Sequence, residues 1–248
     1  GPRLVGDKYH YVVLSKPGIP FIVEGEVVPP PQKYHDLLSL EYRAKAASSV
    51  IEHLLQADWI DRTKIVVAGH SEGARVAARV SAINKNVTHL GLFADGGLTQ
   101  MFNFVVNARK LVRQGAISAA EAEKEIAALL EQFKAIFAEP KSTTKFWAGH
   151  TYLRWSSFFA PALDDLLPLD IPIYVSATAD DVNGSVESSD LVQLEFIRRG
   201  KKNLTYKVYP RADHFYMERQ QKVIGNVNMI SHREGAVKDF MLWLEKGL

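Results

Sequence analysis

Apolar residues fall into two patterns along this chain. Unbroken runs occur at "KIVVAG" (64–69), "HLGLFA" (89–94), "IPIYVSA" (171–177) and "NLTYKVYP" (203–210). Runs this short, closed by glycine, proline or polar residues, read as strands, "KIVVAG" as a buried one. "YHYVVLS" (9–15) has the same character and is stopped by Lys16, Pro17 and Gly18. Between the runs, apolar positions recur every three or four residues. Residues 36–56 carry Ala47, Val50, Ile51, Leu54 and Leu55 in that rhythm, and residues 74–84 and 188–199 follow suit. These segments predict helices, the last capped by Gly200. A final helix is expected from Ser231, with Glu234 completing a capping box. Strand and helix in alternation predict an α/β fold with a mostly parallel sheet.

The alternation breaks twice. "EVVPPPQKYH" (26–35) reads as a proline-rich loop. From about Leu98 to Leu167 the chain reads as helical throughout. Ser118 and Glu121 have capping-box spacing before the amphipathic run Ile126, Leu129, Leu130, Phe133 and Phe137. The aromatics Trp147, Tyr152, Trp155, Phe158 and Phe159 follow. Residues 98–167 are therefore expected to form a helical cap inserted into a core of residues 1–97 and 168–248.

Composition narrows the class. The 248 residues are enough for one substantial core. Thirty basic and 28 acidic residues are interspersed, leaving a formal charge of +2 and no basic stripe, which argues against a nucleic-acid partner. No cysteine is present, which excludes a disulfide framework, a thiolate metal site and a cysteine nucleophile. No apolar stretch approaches the ~20 residues of a membrane span. The first 13 residues lack the basic-then-apolar pattern of a signal peptide. The expectation is a soluble protein, cytoplasmic, or periplasmic or secreted after removal of an upstream signal. Nothing in the sequence sets its oligomeric state.

One motif carries chemistry. "GHSEG" (69–73) lies between a predicted strand and a predicted helix, the setting of a nucleophile elbow. Such a turn holds its serine in a strained backbone at the sheet's C-terminal edge, with the following helix pointing its positive end at the hydroxyl. Ser71 is the expected nucleophile, and the Glu72 N–H is placed to donate to an oxyanion. A serine hydroxyl needs a base, and the base a carboxylate. Of the four histidines after Ser71, only His214 lies in a loop between a strand and the last helix. Asp180, just past a predicted strand end, is the first choice of acid, with Asp181 and Asp95 as alternatives. Asp213 is expected to be solvated, and His70 and Glu72 to pack or hydrogen-bond beside the serine. A second oxyanion donor is sought in "LSKPGIPF", at Gly18 or Ile19. Trp147, His150, Tyr152 and Trp155 are candidates for the substrate pocket, with packing between cap and core as the competing role.

"WIDRTKIVVAGHSEGARVAA", "SATAD" and "PRADHF", in that order, resemble the α/β-hydrolase superfamily, in particular the bacterial serine esterase and S9-peptidase-like group with a Gly-His-Ser-Glu-Gly elbow. The resemblance spans the chain from about Lys8, apart from the cap. It implies acyl transfer to water: attack by Ser71, proton transfer through His214, and orientation of the imidazole by Asp180. No metal or organic cofactor is implied. The expected substrate is a small-molecule carboxylic ester or other acyl compound. A peptidase or amidase with the same residues, or a non-catalytic binding protein on this fold, are the alternatives.

Overall fold

The computed structural model describes residues 6–22, 29–221 and 227–246. After a single 3₁₀ turn at Gly6–Lys8 come two α-helices, α1 (Gln32–Leu37) and α2 (Leu40–Leu54), where the sequence predicts one. The break falls at Ser39, whose side chain accepts the Tyr42 N–H and so starts α2 afresh. Strand β1 (Val66–His70) then leads into α3 (Glu72–Ile83), and β2 (His89–Phe93) follows. A helical excursion comes next: α4 (Gln100–Arg113), α5 (Ala119–Ala138), the two-residue strands β3 (Phe146–Trp147) and β4 (His150–Thr151), α6 (Tyr152–Ser157) and α7 (Ala162–Leu166). Ser118 and Glu121 form both halves of the predicted capping box at the start of α5. The chain then runs through β5 (Ile173–Thr178), α8 (Val186–Arg198), β6 (Leu204–Tyr209), β7 (Met217–Gln221), β8 (Val227–Ser231) and α9 (Arg233–Lys246).

The central sheet has the order β1-β2-β5-β6 and every pairing is parallel. Its strands alternate between two cores. Ile173 and Val175 of β5 join Leu90 and Leu92 of β2, Ala74 and Ala77 of α3 and Val192 and Phe196 of α8. Tyr174 faces Phe240 and Leu244 of α9 instead. Gly91 lets α9 press close, because a Cβ there would lie 2.7 Å from the Phe240 ring. A third cluster, Leu40, Ala44, Val76 and Val80 with Phe158, seats α2 on α3.

Residues 98–167 do not pack as one unit. Met101, Phe133, Ile136 and Trp155 form a cluster of their own. Phe158 joins the cluster between α2 and α3, and Ala162, Leu163 and Leu166 of α7 join the main core. Arg75 and Arg79 of α3 both bind the buried Asp165 carboxylate of α7, which fixes that return. Among the described residues no helix is long and apolar enough to cross a membrane.

Three segments differ from the sequence reading. Residues 9–15 form no strand, because they have no ladder partner among the described residues. Tyr11, Val12, Val13 and Leu14 are exposed. This segment and β1 line the same groove, of about 1350 Å³, together with Ile51, Val67 and Phe240. The proline-rich loop gives way to α1 at Gln32, with Pro31 as its N-cap residue, and residues 26–28 of that loop lie outside the described residues. Finally, Ser231 ends β8 rather than capping α9, which begins at Arg233. The antiparallel pair β7 and β8 was not expected from the sequence at all.

Candidate active site

The site is built from turns that leave the C-terminal ends of adjacent parallel strands. Ser71 is the single residue between β1 and α3, with φ 55° and ψ −127°, a conformation costly for any side chain. Its N–H donates to the Phe93 carbonyl at 2.8 Å and its carbonyl accepts the Ala74 N–H at 2.8 Å, so both neighbours hold the turn. The two flanking glycines are not equivalent. A Cβ on Gly69 would lie 2.0 Å from the Gly73 carbonyl, whereas a Cβ on Gly73 would meet nothing within 4 Å. Gly69 is therefore what lets the helix start directly on the strand.

His214 approaches from the loop after β6. Its Nε2 lies 2.8 Å from the Ser71 Oγ, and its Nδ1 lies 2.7 Å from Asp181 Oδ2. The residue brought to the imidazole is thus Asp181 and not Asp180. After β5 ends, the Asp180 N–H donates to the Ala212 carbonyl at 3.1 Å and its side chain turns to solvent. Asp181 is buried. Its Oδ1 accepts the N–H groups of Asn183 at 2.7 Å and Gly184 at 2.9 Å, and its Oδ2 also accepts the Thr178 hydroxyl at 3.1 Å. "DVNG" is an Asx-turn sequence, and that is the signal which separates the two aspartates. Asp213 is not merely solvated either. Its carboxylate accepts the N–H groups of Phe215 and Met217, both at 2.9 Å, and shapes the loop that carries His214.

The family model for the alpha/beta hydrolase family matches residues 6–225. The chain belongs to the alpha/beta hydrolase family. Solved structures agree at the level of the fold. The acylaminoacyl peptidase of Pyrococcus horikoshii aligns with a TM-score of 0.51 at 13% identity, covering 84% of this chain and 28% of the peptidase. Dipeptidyl peptidase 4 of Porphyromonas gingivalis gives 0.50 at 11%, covering 86% and 24%. DcsB in complex with its substrate analogue gives 0.51 at 13%, covering 86% and 75%. No curated protein matches the chain.

Around Ser71, charge is concentrated on Glu72. As the first residue of α3, Glu72 has an N–H without an intrahelical acceptor. Its side chain points into a cationic clamp. Arg154 of α6 donates to Oε2 through Nε at 3.0 Å and Nη2 at 2.8 Å, while Lys16 and Arg43 reach Oε1. Burial alone would raise this carboxyl, but the Arg154, Lys16 and Arg43 charges overcome it and hold the group down to about 2. One carboxylate so joins α2, the N-terminal segment and α6 beside Ser71.

The other predicted contributors are placed differently. The Ile19 N–H donates to the Lys16 carbonyl at 3.0 Å, closing a turn with Pro17 and a left-handed Gly18 (φ 73°). That donor is committed to its own turn and is not presented to an acyl oxygen. Trp155 is 3% exposed and its Nε1 donates to the Trp147 carbonyl at 2.7 Å. Trp147 and Tyr152 pack against the same cluster, and the Tyr152 hydroxyl accepts from Gln132 at 3.1 Å. These three aromatics consolidate the helical excursion from inside. His150 packs edge-on to Trp155 and is only half-buried. Burial, with the Arg154 charge, holds its imidazole down to about 4 and therefore neutral near pH 7.

Asp95, the third candidate acid, leaves β2 between the Ser71 and Asp181 turns. Its Oδ1 accepts the Gly96 N–H at 2.8 Å. Burial pushes its carboxyl up to about 7, against the lowering pull of that N–H and of the Arg75 and His214 charges.

Proposed function

We propose that the protein is a serine hydrolase acting on small-molecule carboxylic esters, with Ser71 as nucleophile, His214 as base and Asp181 as the orienting acid. The observation that carries this reading is the unbroken chain of contacts from Ser71 Oγ to His214 Nε2, at 2.8 Å, and from His214 Nδ1 to Asp181 Oδ2, at 2.7 Å. A carboxylate only accepts, so Nδ1 carries the proton and Nε2 is left free to take the one on Ser71.

In the proposed reaction the Ser71 Oγ attacks the acyl carbon as its proton passes to His214 Nε2. The carbonyl π pair moves onto oxygen, where the Glu72 N–H and the α3 dipole stabilise it. Collapse of the adduct expels the alcohol oxygen, which takes the proton back from Nε2 and leaves an acyl-Ser71. Water then repeats both steps and releases the acid. The imidazolium formed on the way is stabilised by Asp181, whose other oxygen is already occupied by two backbone N–H groups. The helices of residues 98–157 act as a cap, joined to the serine turn through Arg154 and Glu72.

The test combines a fluorophosphonate probe with a panel of p-nitrophenyl esters from acetate to octanoate and the matching anilides. The expected result is labelling of wild type but not of Ser71→Ala, with esters turned over faster than anilides. An unlabelled wild type would return the protein to a binding role, and faster anilides would make it an amidase.

A further inference from the structure

His70 is the last residue of β1 and stands next to the proposed nucleophile, yet its ring turns toward the base. Its Nε2 lies 2.8 Å from the backbone carbonyl of His214, and the two ring centroids are 5.0 Å apart. A carbonyl oxygen only accepts, so His70 Nε2 carries the proton in this contact. Burial holds His70 below its ordinary range, against the raising pull of this same hydrogen bond to the His214 carbonyl.

The loop carrying His214 needs such a tie. Its other anchors are local, reach the C-terminal helix or tie it to the end of β5, where the Asp180 N–H donates to the Ala212 carbonyl at 3.1 Å, the Tyr216 hydroxyl to the Ser176 carbonyl at 2.9 Å and His214 Nδ1 to Asp181 Oδ2 at 2.7 Å. Asp213 caps the Phe215 and Met217 N–H groups, Tyr216 sits at φ 59°, and Arg233 Nε donates to the Phe215 carbonyl at 2.7 Å. Each of these fixes the loop's shape. The His70 contact sets its distance from β1 and thus from Ser71. The direct Ser71–His214 hydrogen bond cannot hold that distance throughout the reaction, because it is broken once the proton moves and His214 turns to the leaving group.

We infer that His70 is a positioning residue: its Nε2–H holds the His214 backbone against the nucleophile strand while the Ser71–His214 contact is made and broken. The inference rests on the serine-hydrolase reading of the same site. His70 touches no reacting atom, so its effect falls on kcat and not on KM.

The test compares His70→Leu, which keeps the bulk and removes the donor, with His70→Gln, which keeps an N–H of similar reach. His70→Leu is expected to lower kcat for an activated ester by about 10- to 100-fold, with KM within about twofold of wild type. Fluorophosphonate labelling should slow in parallel, and His70→Gln should recover most of the rate. Equal losses in both variants, a loss confined to KM, or full activity in His70→Leu would overturn the inference. A second readout needs no variant and no turnover. In 15N-histidine-labelled wild type at pH 7.5, His70 should carry its proton on Nε2, and a proton on Nδ1 would remove the contact from consideration. A wild type inert to ester and probe would instead sink the hydrolase reading, so the two failures are separable.

Discussion

The strand ends and the helical excursion use polar and aromatic residues in opposite ways. At the strand ends, side chains are held by hydrogen bonds and present atoms. Asp181 accepts from Asn183, Gly184, Thr178 and His214, and His214 in turn meets Ser71. In the excursion, Trp147 and Trp155 are held by each other and by neighbouring rings. Trp155 contacts Trp147, Phe104 and the Arg154 guanidinium and is nearly buried. Aromatic richness near a site is thus a poor guide to a pocket, because large rings also supply most of the burial that a small helical layer needs. A strained turn with every acceptor filled is a better guide, since strain persists only where the surroundings over-determine it.

The contrast is sharpest for Ser71. Its hydroxyl contributes nothing to the core, so Ser71→Ala should cost about 10⁶-fold in kcat and leave the thermal midpoint within a degree or two. Residual ester turnover above that floor, measured on protein free of wild type, would remove Ser71 from the reaction. Next in size is the aspartate pair. Asp181→Asn should cost about 10⁴-fold, because the amide donates where the imidazole needs an acceptor. Asp180→Asn, on a side chain turned to solvent, should change kcat less than twofold. The reverse order would return the acid to Asp180 and break the contrast at its centre.

Much of this was legible in the sequence, and the exceptions share a cause. The inner strands at 89–93 and 173–178 announce themselves because burial on both faces demands continuous apolar runs, and the outer strands at 66–70 and 204–209 because short apolar-rich runs end at glycine or proline. The elbow is legible because Gly69 is required by a 2.0 Å approach. What stayed hidden depends on partners. Residues 9–15 are as apolar as any strand, but strand formation needs a ladder beside them. The pairing of "MERQQ" with "VNMIS" carries too many polar positions to show a buried face. Asp180 and Asp181 are equally near a strand end, and only the Asx turn after the second decides which is oriented. Trp155 and Tyr152 read equally as pocket or packing residues because sequence reports size and chemistry, not which way a ring faces.

On the other side of the contrast, Trp155→Ala should destabilise the fold by about 3–5 kcal/mol, read from chemical denaturation. The loss follows from an almost fully buried ring whose indole N–H donates to Trp147. Activity per folded molecule should fall far less than in Asp181→Asn. Stability near wild type with a large rise in KM would make Trp155 a pocket residue after all.

Last comes Asp95, a half-buried carboxyl just past the end of β2. Its pKa rises from an ordinary 3.8 to about 7, chiefly through burial. Between those values the folded protein binds more protons at this group than the unfolded chain does. The linkage slope is therefore negative: this group makes the fold less stable as pH rises from about 4 to about 7, and no further above that. Glu72 acts in the opposite sense and lower, its stabilisation present above about 4.5 and lost as pH falls toward about 2. The raw pH curve mixes the two, so the diagnostic quantity is the difference in thermal midpoint between Asp95→Asn and wild type. Asparagine keeps an acceptor for the Gly96 N–H and removes only the ionisation. The difference should be near zero at pH 4, grow in favour of the variant to about pH 7 and then level off. A difference that is flat with pH would mean that the Asp95 carboxyl is as well solvated as an ordinary surface aspartate, and that the strand ends carry no such cost.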